Sequence, residues 1–285
     1  MINPYKLTGP TCLSFSGGRT SAYMLWLVLQ SNTSMDIARW LVVCFANTGK
    51  EDEATLRFVQ ACSEHWEVTI VWLEYRKESP GFAVVDFHSA AREGEPFAAL
   101  IQKRNYLPNP VTRFCTSELK IRTIFKYLRD CGLLDADIDM MIGIRADEQR
   151  RVAKIRNGKN SESAKIENTV PLADAGVTVA DVGAFWDAQS FNLELTSFNG
   201  RTLAGNCDLC FLKPAAQIAS LIAEKPERAV WWASIEALAL ALASKPSGAV
   251  FRSDRPSYAA MAKFVTEQRD MFNQDEEAIA CFCGD

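Results

Sequence analysis

Histidine is scarce in this chain. There are two in 285 residues, His65 and His88, and neither has a second histidine or an acidic partner at ligand spacing, so both read as structural residues rather than metal ligands. Long hydrophobic runs are missing too. AVWWASIEALALALA, over 229–243, carries Glu236 and falls short of the roughly 20 apolar residues that a membrane span needs. There is no basic excess: 31 Lys and Arg stand against 35 Asp and Glu, for a net charge of -4 and a pI near 5.4. This balance argues against a protein that coats nucleic acid through a broad basic face, and leaves room for a local basic site. The opening MINPYKLTGP lacks a signal-peptide core, which predicts a cytoplasmic chain. Internal repeats and low-complexity tracts are absent as well. In that compartment nine cysteines are expected to be reduced, so metal binding or catalysis explains them better than a disulfide framework.

What is present is a large apolar fraction, 48%, enough for a substantial core. TCLSF (11–15), WLVVCFA (40–46), VTIVWLE (68–74) and DMMIGI (139–144) read as buried strands, with helical patterns near 21–30, 52–65 and 116–130 between them. The alternation predicts an α/β fold, a Rossmann-like, doubly wound and mainly parallel sheet, followed by a helical C-terminal part. The boundary is expected at residue 213, with a nucleotide-binding domain over 1–213 and a helical extension over 214–285. Helices are expected at 179–189, 214–224, 227–243 and 255–272. The polar, basic stretch 150–168 reads as a mobile loop or lid.

Such sheets bind ligands at the carboxyl ends of their strands, which directs attention to SGGRTS, NTGKE and RADEQRR. Ser16, Gly17 and Gly18, continuing through Arg19, Thr20 and Ser21 into a helix, would present free backbone N–H groups to a phosphate at a helix amino end. No lysine follows the glycines, so this is not the P-loop, and the glycine spacing is not the dinucleotide fingerprint. Lys50 reads as solvated surface charge, as does one of Arg150 and Arg151. Glu148 could pair with an arginine of its loop or help to hold Mg2+.

Among the cysteines, Cys207 and Cys210 have the two-residue separation that lets both reach one metal or cluster from a tight loop. Cys115 starts a helix just after Arg113, a setting that favours thiolate. Cys12, Cys44, Cys62 and Cys131 fall in apolar stretches and are expected to pack as small hydrophobes. Cys281 and Cys283 in the terminal ACFCGD could ligate together or act as attacking and resolving thiols.

SGGRTS resembles the SGGxxS loop of the PP-loop ATP pyrophosphatase superfamily, and the chain as a whole resembles the phosphoadenosine phosphosulfate reductase family. Asn47-Thr48-Gly49-Lys50-Glu51 is similar to the family's NTG-x-E motif, Arg113 to Lys120 to its cysteine-then-basic helix start, and Gly143 to Arg151 to its G-x-R-x-x-[EQ]-x-x-R loop. Val170-Pro171-Leu172, Asp181-Val182 and Cys207-x-x-Cys210 follow in the same order, so that the resemblance covers about 11–213. It implies an adenine nucleotide, ATP or an adenylyl sulfate, bound by Ser16, Gly17, Gly18, Arg19, Thr20, Ser21, Asn47, Thr48, Gly49, Arg145 and Arg150, with Lys120, Arg145 and Cys283 in catalytic roles. It also implies a [4Fe-4S] cluster on Cys115, Cys207, Cys210 and a terminal cysteine, Cys281 or Cys283, or on three cysteines with one iron open. A structural zinc on the same set is the competing reading.

The family's reductases end in E-C-G-[LI]-H, whereas Phe282 and Asp285 flank Cys283-Gly284 here. That departure favours ATP-dependent adenylation of an acceptor in sulfur transfer, with release of pyrophosphate, over thiol-dependent reduction of adenylyl sulfate. A non-catalytic nucleotide or redox sensor is a third reading. The partners that follow are the nucleotide, a sulfur donor or thiol reductant, a tRNA or DNA acceptor and a homodimer, without a membrane.

Overall fold

The computed structural model describes residues 3–158, 164–198, 201–242 and 249–273. It divides into two compact units, one of Met1–Arg104 with Arg113–Asp208, the other of Asn105–Thr112 with Leu209–Asp285.

The first unit is an α/β Rossmann-like layer structure. Five strands run parallel: β1 (Thr11–Phe15), β2 (Leu41–Asn47), β3 (Ile70–Tyr75), β5 (Ile138–Ile142) and β6 (Ile166–Thr169). A sixth, β4 (Phe82–Val85), pairs antiparallel with β3 at the edge. The order is β4-β3-β2-β1-β5-β6. In register, Leu13 lies beside Val43 on one side and Met141 on the other.

Side chains alternate across the sheet with the two-residue period of a strand. Leu13, Phe15, Val43, Phe45 and Trp72 pack on one face with Ala22, Leu25 and Val28 of α1 (Arg19–Ser31) and Leu56 and Val59 of α3 (Glu53–His65). On the other face, Cys12, Cys44, Leu73 and Met140 meet Ile124, Phe125 and Leu128 of α5 (Arg122–Asp130). Helices therefore cover both faces, which is why the strands read as continuous apolar runs.

Several elements lay outside the sequence reading. α2 (Ser34–Trp40) is held by a reciprocal capping box between Thr33 and Asp36, a legible signal on a helix without a buried residue. α4 (Glu95–Arg104) precedes a π-helical turn, Thr116–Ile121, that runs into α5. The expected lid over 150–168 is corrected at its two ends, residues 159–163 lying outside the described residues: α6 (Gln149–Asn157) forms because Val152 docks on Ile144 and Val170, and β6 extends the sheet. Cys131 is also corrected, being exposed at the C-cap of α5, whereas Cys12, Cys44 and Cys62 are buried. Burial pushes the Cys62 thiol up, and a hydrogen bond with Cys12 together with burial raises that of Cys44. α7 (Pro171–Asp174) and α8 (Val179–Asp187) complete this unit, with a short antiparallel pair of β7 (Ser197–Phe198) and β8 (Arg201–Thr202).

The second unit contains α9 (Ala215–Glu224), α10 (Arg228–Leu242) and α11 (Tyr258–Asn273). Trp232 sits between Phe251 and a stacked Tyr258 and is fully buried, so that member of the Trp231-Trp232 pair is core. Glu236 accepts from the amide of Tyr258, the first residue of α11, at 2.8 Å. Among the described residues no helix is long and apolar enough to cross a membrane.

Candidate functional site

Strand order fixes where a ligand can enter. The chain leaves β1 in one direction to reach β2 and later returns to lay β5 on its other side, so the sheet's switch point lies between the carboxyl ends of β1 and β5. Two of the loops singled out in the sequence, 16–21 and 143–148, leave those two strand ends.

The first loop is built around one position, Gly17, that only glycine fits. Gly17 has φ +74°, and a Cβ there would come 2.7 Å from Cγ2 of Thr55. Gly18 is the N-cap of α1; no side chain caps the helix, and its first turn holds no acidic residue, so its positive end is uncompensated. Ser21 closes the loop. Its Oγ donates to the Gly18 carbonyl at 3.0 Å and accepts from the Ser16 amide at 3.1 Å. With that proton committed, the 2.9 Å contact to Ser16 Oγ has Ser16 as donor.

The second loop touches the first. Gly143 lies against Ser21, where a Cβ would sit 3.1 Å from the Ser21 Cα. Arg145 donates through Nη1 to Thr20 Oγ1 at 3.1 Å and grips Asp147 through Nε and Nη2 at 3.0 and 3.1 Å. That grip holds the Asp147 carboxyl below its ordinary range. Glu148 takes the pairing role: it accepts the Arg145 amide and pairs with the guanidiniums of Arg145 and Arg151. Arg150 is exposed on α6. Arg19 turns elsewhere, donating to Asn192 Oδ1, Ser197 Oγ and the Leu193 carbonyl, which ties the 192–197 segment to α1.

The end of β2 builds a second polar cluster. Asn47 donates to Glu74 Oε1 at 2.7 Å and to the Ala91 carbonyl at 2.9 Å, and its Oδ1 accepts the Gly49 amide. Glu51 Oε2 accepts from both the amide and the hydroxyl of Thr48 at 2.8 Å. Glu51 Oε1 has no hydrogen-bond partner, although it is buried and 3.6 Å from Lys120 Nζ. Gly49, at φ +78°, passes so close to Gly94 that a Cβ would meet its Cα at 3.0 Å.

Lys50 corrects the sequence reading. It is buried and pairs with Asp208 at 3.4 Å, each side chain 9% exposed, while the Asp208 amide donates to the Lys50 carbonyl. Glu51 entered the sequence reading as the last residue of the NTGKE motif, whereas Glu74 and Asp208 were missed as members of this cluster. For Glu74 the available signal was a carboxylate within an otherwise apolar strand, IVWLEY.

Cys207 forms an isolated β-bridge with Glu51, and its Sγ lies 3.5 Å from Thr48 Oγ1. Cys115 is the half-buried N-cap of the π-helical turn that carries Lys120. Cys210 belongs to the second unit, and Cys281 and Cys283 lie outside the described residues. Among the described residues no three His, Cys, Asp or Glu side chains form a group that could hold a metal ion.

No family model matches the chain. It is 30% identical over 214 residues to the uncharacterized nin region protein ORF290 of Escherichia phage lambda, an alignment covering 72% of this chain and 67% of the phage protein. It is 25% identical over 168 residues to the uncharacterized protein MJ0066 of Methanocaldococcus jannaschii, covering 59% of this chain and 29% of the archaeal one. On the extent and identity of the first of these alignments, the chain belongs to the family of the phage lambda nin region protein ORF290.

Proposed function

We propose that this protein is an enzyme of the phosphoadenosine phosphosulfate reductase-like group that binds ATP in its 16–21 loop and adenylates an acceptor in the course of sulfur transfer. An acceptor oxygen attacks the α-phosphorus, pyrophosphate leaves, and sulfur from a donor then displaces AMP. The observation that carries this reading is the uncapped amino end of α1, with Gly17 held in a conformation and a space that admit no side chain, at the β1–β5 switch point.

In this reading the α1 amides receive phosphate oxygens, and Arg145, already oriented by Asp147, supplies positive charge as pyrophosphate departs. Lys120, next to Glu51, serves the same polyphosphate from the β2 side.

The test is calorimetric ATP titration together with ATP–pyrophosphate exchange in the presence of candidate acceptors. Binding, with exchange reduced about 10²-fold or more in Arg145→Ala, is the expected result. Absence of ATP binding at millimolar nucleotide sinks the reading, and binding of adenylyl sulfate instead transfers it to reduction. A [4Fe-4S] cluster on Cys115, Cys207, Cys210 and Cys283 is a separate part of the proposal. Anaerobic preparation should give about four irons per chain, lost in Cys210→Ala; zinc, or no metal, removes it.

A further inference from the structure

The acceptor is open in the reading above, and the surface next to the 143–148 loop has the chemistry to specify one. That loop runs directly into α6, QRRVAKIRN, which carries four cations and no acidic residue in a chain of net charge -4. Val152 faces inward. Arg150 and Lys154, one turn apart and roughly opposite it, are exposed. Arg151 and Arg156 pair with Glu148 and Asp174.

Along the flank of α6 is an open depression of about 230 Å³ lined by Ala146, Gln149, Val152, Ala153, Arg156 and Ala173. Its floor is aliphatic, and its two polar members are an amide, which both donates and accepts, and a guanidinium that Asp174 holds at 2.6 Å. A planar group with apolar faces and a hydrogen-bonding edge suits such a lining. Ala146 also directly follows Arg145, whose guanidinium reaches Thr20, so the depression adjoins the loop that touches the 16–21 segment.

We infer that α6 and this depression bind the acceptor as an RNA loop presenting an unpaired base, with the base against Gln149 and Arg156 and the flanking phosphates on Arg150 and Lys154. This rests on the proposed function for the chemistry that follows binding, but not for binding itself. An unpaired base is favoured over a duplex because a duplex must first be opened before a base can enter a concave site. Two cations a helical turn apart, without that depression, would select only for phosphate.

The test is fluorescence anisotropy with a labelled RNA stem-loop, the corresponding fully paired RNA and a DNA duplex, each as a function of salt. The stem-loop should bind about tenfold more tightly than either duplex. Lys154→Gln should weaken it about fivefold at 0.1 M salt and reduce the slope of log K against log salt by about 0.7, the single-strand value for one phosphate contact. Gln149→Ala should weaken the stem-loop and leave duplex binding where it was. Equal affinity for all three probes, preference for duplex DNA, no binding of the stem-loop or an unchanged slope in Lys154→Gln would each overturn the inference. ATP titration of the same samples separates the two claims: neither variant should alter it, and a wild type that binds the stem-loop but not ATP refutes the nucleotide reading alone.

Discussion

Substitution of Gly17 by alanine tests whether the 16–21 loop is dictated by its surroundings. Two costs add. An L-residue at φ +74° is in the left-handed region, where a Cβ crowds the carbonyl that follows, at about 1–2 kcal/mol. The new methyl would also lie 2.7 Å from Cγ2 of Thr55, 3.1 Å from Cε2 of Phe45 and 3.3 Å from Cγ2 of Val59. Thr55, Phe45 and Val59 are buried, so they cannot swing into solvent, and such overpacking costs about 1–3 kcal/mol. The expected loss is therefore about 2–5 kcal/mol, read by urea unfolding as a lower midpoint with an unchanged slope. Gly18→Ala is the control. Its φ is -110°, and the nearest atom to the added carbon is Ser16 Oγ at 3.7 Å, so the loss should be no more than about 1 kcal/mol, the cost of alanine at a helix N-cap. If the two variants unfold alike, the loop is adaptable and the steric reasoning fails.

Lys50→Met should destabilise by about 3–5 kcal/mol, since it leaves the Asp208 carboxylate buried without its counter-charge. Adding Asp208→Leu should recover most of the loss, and a surface role for Lys50 would instead show no effect in either variant. Tyr5 gives a pH-dependent test. Burial, with smaller effects of Tyr23 and Asp174, pushes its phenol up to about 12, and its hydroxyl is buried without a hydrogen-bond partner. The folded protein thus retains a proton that the unfolded chain releases near pH 10, so Tyr5 contributes stability that is fully present below pH about 10 and lost as pH rises towards about 12. In unfolding curves across that range, Tyr5→Phe should lose less stability than the wild type; parallel curves would refute the assignment.

The elements that were legible in the sequence are those with a strong local signal. β1 was read at its observed bounds, and β2, β3 and β5 within two residues, because a strand covered on both faces must be apolar along its whole length. The loops at their carboxyl ends were legible for the complementary reason, polar and glycine-containing sequence where the apolar runs stop. β4 and β6 were missed because edge strands of four residues are too short and too mixed to carry a period. α6 was missed because one buried valine and flanking isoleucines anchor it under a surface of arginine and lysine, a composition shared with solvated loops.

The sequence by itself thus determined that a mainly parallel α/β sheet forms and which loops leave its strands, since strand and turn preferences act over a few residues. Only the tertiary structure decided that β5 returns to the side of β1 away from β2 and brings Arg145 to Thr20. It also decided that Lys50 is buried on Asp208, 158 positions away in the chain, and that Arg19 is directed to Asn192 and Ser197. The direction of a long polar side chain depends on which distant partner the completed fold places within reach, and no local pattern carries that information.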